Sequence, residues 1–262
     1  MSCKVIAVAN QKGGVGKTTT AVNLSASLAV AEARVLLIDF DPQGNATSGV
    51  GVMPEEIDND IYDVIVNGVD INSALYHTEI EGLDLIPARI ELSAAEVELI
   101  QELSRETKLK RAIAEIKDNY DYILIDCPPS LGLLTVNALT AAGSVLIPMQ
   151  CEYFAMEGLG QLINTINLIK ENLNTDLYIE GILLTMYDVR NNLSKEVMNQ
   201  VKTHFPDKAF KTVVPRAVAL SEAPSFGKPI ILYQAKSKGT ECYIELAKEI
   251  LIKANQQEQD IK

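Results

Sequence analysis

No two of the four cysteines, Cys3, Cys127, Cys151 and Cys242, stand at C-x-x-C spacing. That spacing marks zinc and redox sites. Neither a zinc site nor an iron–sulfur cluster within one chain is therefore expected, and the thiols read as reduced, in a cytosolic protein. No apolar run approaches the roughly 18 residues of a membrane span. The first residues, Met1-Ser2-Cys3-Lys4, run straight into an apolar segment without the pattern of a signal peptide. The other end, from Lys253 to Lys262, has almost no apolar face, which argues against a basic amphipathic helix lying on lipid. Linkers and internal repeats are missing too, so a single domain is expected. Positive charge is scarce: 23 Lys and Arg against 35 Asp and Glu give a net charge of −12. Taken whole, that balance argues against nucleic acid as a partner.

The distribution of charge says otherwise. Between Thr185 and Thr240 nine basic residues stand against four acidic ones, a local +5 that leaves −17 for the remainder. Hydrophobic content of 47% and charged content of 22% are those of an ordinary globular domain. At 262 residues the chain is long enough to bury a large core.

The stretch that organises the chain is Gln11 to Thr20, Q-K-G-G-V-G-K-T-T-T. An apolar run, Val5 to Ala9, precedes it, and an amphipathic run from Thr19 follows. Strand, glycine loop and helix are the context of a phosphate-binding loop. Its glycines let backbone N–H groups approach phosphate oxygens, and the following helix points its positive end at the same anion. Lys12, Gly13, Gly14, Val15, Gly16, Lys17, Thr18 and Thr19 are the expected nucleotide-binding residues. Lys17 would neutralise the β- and γ-phosphates, and the Thr18 hydroxyl would ligate Mg²⁺. The common pattern G-x-x-x-x-G-K-[ST] wants glycine at position 11, where this chain has Gln11 and then the extra Lys12. That is the deviant form, K-G-G-x-G-K-[ST]. A phosphate-bearing nucleotide with Mg²⁺ is the expected ligand, and the family resemblance given below makes it ATP.

Two further apolar runs end in carboxylates, Arg34–Asp39 and Tyr122–Asp126. In a parallel sheet, ligands sit beyond the carboxyl ends of the strands. Asp126 stands where a Walker B carboxylate belongs, and would hold Mg²⁺ through water. Asp41, two residues past its strand, is the expected group that orients water for in-line attack. Asp39, closer to the sheet, would hold either magnesium waters or the phosphate loop. Lys12, Lys17 and Asp41 are thus the catalytic candidates. Apolar strands at Leu83–Pro87, Ser144–Pro148, Ile179–Thr185 and Lys211–Val214 alternate with helical runs at Thr19–Ala31, Asp60–Val66, Glu91–Leu103, Lys108–Lys117, Leu133–Ala142, Met156–Leu173, Leu193–His204 and Gly239–Lys253. Asp39 to Ser48 reads as a polar loop. The expected fold is α/β: a single-domain P-loop fold over residues 1–254, with a mostly parallel twisted sheet covered by helices on both faces. Residues 255–262 read as a polar, frayed tail.

These residues together resemble the deviant-Walker ATPases, and specifically the chromosome-partitioning ParA/Soj family. The resemblance covers nearly the whole chain. It includes Ala9–Thr20, L-L-I-D-F-D-P-Q-G-N at Leu36–Asn45, Y-D-Y-I-L-I-D-C-P-P-S-L-G at Tyr120–Gly132, Q-C-E-Y-F-A at Gln150–Ala155, and S-E-A-P-S-F-G-K-P at Ser221–Pro229. It implies an ATP-bound homodimer with nucleotide between the subunits, binding to duplex DNA without sequence preference, and release through hydrolysis stimulated by a ParB/Spo0J-type protein. It also implies a cytoplasmic, nucleoid-associated location. Lys12 resembles the signature lysine that reaches the partner's ATP, and Asp41 the water-activating residue. Pro215 opens the loop that lies against adenine, which makes Pro215 and Ala217 candidate nucleotide contacts. Arg190 matches a DNA-binding arginine.

Two positions depart from the pattern. Ala217 replaces an asparagine near the base, so a contact there must come from backbone. Ala219 replaces a DNA-binding arginine, so DNA binding is expected to be weaker and salt-sensitive. A ParA-like ATPase that positions a cargo other than DNA is the alternative. A MinD-type membrane-cycling ATPase and an ATPase like the nitrogenase iron protein are disfavoured by the tail and by the cysteine spacing.

Overall fold

A computed structural model describes residues 3–260 of the chain, with side-chain surroundings through residue 256. Eight strands form one sheet: β1 (Lys4–Val8), β2 (Val35–Asp39), β3 (Tyr76–His77), β4 (Leu83–Ile86), β5 (Tyr122–Asp126), β6 (Ser144–Gln150), β7 (Tyr178–Tyr187) and β8 (Ala209–Pro215). The helices are α1 (Lys17–Val30), α2 (Asn45–Gly49), α3 (Ala95–Glu98), α4 (Lys108–Ile116), α5 (Leu133–Ala141), α6 (Ala155–Asn172), α7 (Asn192–His204), α8 (Val218–Glu222), α9 (Ile230–Tyr233) and α10 (Lys238–Asp260). The strand order is β3-β4-β2-β5-β1-β6-β7-β8, and every pairing is parallel except that of β3 with β4.

The strands are apolar throughout because both faces are covered. Successive side chains point to opposite faces. Ile6, Val8, Leu37 and Leu124 pack with α1 and α10 on one side. Ala7, Ile38, Ile123 and Ile125 pack with α4, α5 and α6 on the other. Each large aliphatic side chain buried this way contributes about 1.5–3 kcal/mol. β1 lies centrally, with β5 on one side and β6 on the other. The chain leaves β1 for β2 in one direction and reaches β6 to β8 in the other. The loop after β1 therefore opens at the crevice where ligands bind in such sheets.

Three expectations differ from the structure, and one element was not expected at all. The single helix expected over Glu91–Leu103 is three short pieces, 3-10 turns at Ile90–Ala94 and Leu99–Gln101 flanking α3. The buried residues there, Leu92, Ala95 and Leu99, are spaced three and four apart, which fits either winding, and Ser104 at φ 56° closes the segment. The polar loop expected over Asp39–Ser48 contains α2, whose residues Ala46 and Thr47 are buried. The antiparallel edge strand β3, only two residues long, carries too little pattern to read. The tail expected to fray after Ala254 continues α10 to Asp260, because nothing in its composition breaks a helix; Ile261 and Lys262 lie outside the described residues.

Candidate functional site

The loop after β1 is tied to β6 and β7 and braced by a bond of its own. Asn10 donates from Nδ2 to the Pro148 carbonyl of β6 at 2.7 Å, and its Oδ1 accepts the Lys12 amide at 3.0 Å. Thr185 of β7 donates from Oγ1 to the Val15 carbonyl at 2.8 Å. Gly14 at φ 73° and Gly16 at φ 87° lie in the left-handed region, where a side chain would be strained. Cβ atoms at Gly13 and Gly14 would meet no heavy atom within 4 Å, so the space beside the loop is open there. No side chain caps α1, which starts at Lys17, leaving its first-turn amides for an anion.

The two lysines of the motif part company. Lys17 is buried, its ammonium donating to the Lys12 carbonyl across the loop at 3.2 Å. Burial pushes its pKa down, and the charges of Asp126 and Asp41 pull it back up. The Lys12 side chain instead lies over the Phe154 ring, its Nζ 5.8 Å from the centroid, against the first turn of α6. It leaves the phosphate cradle to Lys17.

Three carboxylates gather beyond β2 and β5. Asp39 and Asp126 are register partners on adjacent strands, and Asp126 also pairs with Val8 of β1. Both are fully buried. One Asp39 oxygen accepts both the Thr47 amide (2.7 Å) and the Thr47 hydroxyl (2.8 Å), and the other accepts the Asp41 amide (3.2 Å). Burial pushes the Asp39 carboxyl up to about 7 despite those donors. Neither Asp126 oxygen has a hydrogen-bond partner. Burial first, then the neighbouring Asp39, raise its pKa well above the usual carboxylate range. The neighbouring Thr18 hydroxyl and the Lys17 charge pull it down. Asp41 is 7% exposed, with one oxygen accepting the Gln43 amide at 3.1 Å.

Asp39 accepts its donors from Asp41 and Thr47, in the segment after its own strand, and not from the phosphate loop, one of the two alternatives expected of it, while Asp126 is the carboxylate that lacks a partner. Its two orphaned oxygens beside the Thr18 hydroxyl fit a hard cation. Among the described residues no group of three or more His, Cys, Asp or Glu side chains could hold a metal by itself. The cation that fits is one sharing its shell with phosphate oxygens and water, as Mg²⁺ does.

Pro215 and Ala217 line a cavity of about 280 Å³ that also meets Gly16, Thr19, Met186 and Tyr243. It adjoins the loop and has room for a base. Met186, Thr185 and Tyr243 were missed by sequence reasoning. Tyr243 is fully buried on α10, its hydroxyl 3.3 Å from Thr20 Oγ1. Met186 sits at φ 50°, a conformation without a sequence signal in a non-glycine residue.

Arg190 lies away from the loop, just past the end of β7. It is exposed but bound to Asp188, through Nε at 3.0 Å and Nη2 at 2.9 Å. The guanidinium holds the Asp188 carboxyl down at about 2. Tyr187 and Pro215 are register partners, so Arg216 emerges beside this pair, exposed.

Residues 3–179 match the family model described as "AAA domain". Over 247 residues the chain is 60% identical to sporulation initiation inhibitor protein Soj of Bacillus subtilis, covering 94% of this chain and 98% of Soj. This chain belongs to the ParA/Soj family of chromosome-partitioning ATPases. It is also 53% identical to the chromosome-partitioning ATPase Soj of Treponema pallidum, over 97% of this chain and 99% of that one. Among solved structures, a cobyrinic acid a,c-diamide synthase from Mycobacterium smegmatis with bound ADP and magnesium superposes with a TM-score of 0.84 at 40% identity, covering 95% and 94% of the two chains. The same synthase is also known with a bound ATP analogue and magnesium, and ATP with Mg²⁺ would suit the uncapped start of α1 and the orphaned carboxylate of this chain. No helix among the described residues is long and apolar enough to cross a membrane.

Proposed function

We propose that this partitioning ATPase works as an ATP-clamped dimer: two subunits close face to face over two ATP molecules, the dimer grips duplex DNA without reading its sequence, and hydrolysis lets go. The observation that carries the reading is the separation of the two lysines. Lys17 serves the cradle of its own subunit, whereas Lys12 rests on Phe154 at the outer lip. A cation there can reach phosphates presented by a second subunit, where it would offset charge developing on the transferred phosphoryl group.

Within each subunit, Lys17 and the first-turn amides of α1 bind the phosphates. Thr18 and Asp126 hold the cation, which screens phosphate charge when bound. Asp41 orients the attacking water, and Pro215, Ala217 and Met186 enclose the base. Catalysis of this kind is positioning and charge stabilisation.

On DNA, Arg190 and Arg216 supply phosphate contacts from adjacent strand ends. Dimerisation doubles them on one surface, turning a weak contact into a bivalent one. The Asp188 pair must open, or rest beside the duplex, for Arg190 to take part. A ParB/Spo0J-type protein is the partner expected to trigger release, and the cytoplasmic nucleoid the place of action. Light-scattering mass with ATP, ADP or no nucleotide, with and without duplex DNA, tests the scheme. The expected result is a dimer with ATP alone, DNA retention with ATP but not ADP, and a Lys12→Ala variant that binds ATP as a monomer. Equal DNA retention with ADP and ATP, or normal ATP dimerisation of Lys12→Ala, would sink it.

A further inference from the structure

Thr47 is buried on α2, outside the phosphate loop and away from any expected contact with nucleotide. It makes more use of its polar atoms than any residue around Asp41. Its amide and hydroxyl both donate to one oxygen of Asp39, at 2.7 and 2.8 Å. The same hydroxyl accepts the Ala88 amide, just past the end of β4, at 3.0 Å. The remaining Asp39 oxygen accepts the Asp41 amide. A continuous chain thus runs from Ala88 through the Thr47 hydroxyl and the Asp39 carboxylate to the backbone of Asp41. It spans β4, α2 and β2, and every member is buried.

Such a chain sets where the Asp41 loop stands. The loop has few other fixed points: the Gln43 amide on the Asp41 carboxylate and the Gly44 amide on the Asp41 carbonyl are contacts within the loop itself. The Phe40 amide, donating to the Asp126 carbonyl at 2.9 Å, fixes the start of the loop on the β5 side, and the link through Asp39 and Thr47 ties it to the β4 side. A hydroxyl suits the post because it donates and accepts at once. Valine, of the same shape, can do neither.

We propose that Thr47 is a positioning residue for ATP hydrolysis, acting through Asp39 to hold Asp41 where it orients the attacking water. The proposal rests on the reading of Asp41 as the water-orienting group. Displacements of about 1 Å in such groups cost on the order of 100-fold in rate.

The test is single-turnover hydrolysis of Mg²⁺-ATP by the full chain, with nucleotide affinity measured alongside. Thr47→Val is expected to slow hydrolysis by about 10–100-fold while ATP affinity changes by less than about 3-fold. Thr47→Ser, which keeps the hydroxyl, should restore the rate to within about 3-fold. Two groups acting as one unit do not add, so Asp41→Ala/Thr47→Val should be no slower than Asp41→Ala. A wild-type rate in Thr47→Val, multiplied losses in the double variant, or failure of Thr47→Ser to rescue would each overturn the proposal. If Thr47→Val does not fold, as judged by its thermal melt, Thr47→Ala takes its place under the same criteria. A wild-type rate in Asp41→Ala would instead bring down the reading of Asp41 beneath it. A slow Asp41→Ala with a fast Thr47→Val would remove Thr47 alone.

Discussion

The ends of β2 and β5 are built from the same pattern, an apolar run closing on aspartate, and they do opposite things. Asp39 and Asp126 face each other in register, equally buried. Asp39 accepts three donors from its own chain, and Asp126 accepts none. A buried carboxylate left unpaired is costly, so the bare one is the one suited to a cation, and the satisfied one is part of the frame. The difference comes from the residues next in the chain. After Asp39 the backbone turns back through Gly44, at φ 63°, into α2 and brings Thr47 to the carboxylate. After Asp126 it leaves through Cys127-Pro128-Pro129, and proline has no N–H to donate.

Four substitutions or conditions can break or sharpen this contrast. Asp126→Asn should have the largest effect, lowering magnesium-dependent hydrolysis by about 1000-fold or more, since a metal-held charge is worth several kcal/mol in such chemistry. The same variant should melt no lower than wild type without nucleotide, because it replaces a buried carboxyl that has no hydrogen-bond partner to lose. A clear loss of stability would put Asp126 in the frame beside Asp39. Next comes Asp41→Ala, with hydrolysis reduced by roughly 100-fold, nucleotide binding kept and a long-lived ATP dimer. Loss of ATP binding there would count against its role with water.

Asp39→Asn should reverse the Asp126 result. An amide turns one acceptor oxygen into a donor facing donors, so stability should fall by about 1–3 kcal/mol, which is roughly 2–4 °C of melting temperature per kcal/mol in a chain of this size. Unchanged melting would mean the Thr47 contacts are not holding the loop.

The smallest effect is on pH. Both carboxyls have folded pKa values above the ordinary 3.8, Asp39 at about 7. The folded chain therefore holds protons that the unfolded chain has released. The stability this contributes is fully present below about pH 4 and is lost as pH rises through about 7. Differential scanning calorimetry of the nucleotide-free chain between pH 5 and 8 should show this decline, and Asp126→Asn should flatten it. A pH profile identical in both proteins would show that Asp126 does not titrate in that window.

Much of the site can be read from local order because its chemistry is local. The phosphate loop needs glycines, lysine and threonine at fixed offsets between a strand and a helix, and Gly13 to Thr19 stand at those offsets. Strand ends marked Asp39 and Asp126 by apolar runs that stop at a charge. The base cavity was only half legible. Pro215 and Ala217 came from resemblance, whereas Met186 and Tyr243 reach it from distant parts of the chain with nothing local to announce them. Arg190 was legible as a cation, but its pairing with Asp188 was not, since residues two apart meet only when the backbone turns.

By itself the sequence determined the class of fold, the nucleotide and the family, because each depends on short-range pattern: apolar runs of strand length, helical spacing, and a loop whose backbone must bend toward phosphate. Tertiary structure decided the division of labour among like residues. Lys12 and Lys17 differ in role because α6 brings Phe154 to one and the sheet buries the other. Asp39 and Asp126 differ because α2 brings a hydroxyl to one alone. The role of a charged group is set by which donors and charges surround it, and only the folded chain brings those up, from Phe154 far along the sequence for Lys12 and from Thr47, eight residues on, for Asp39.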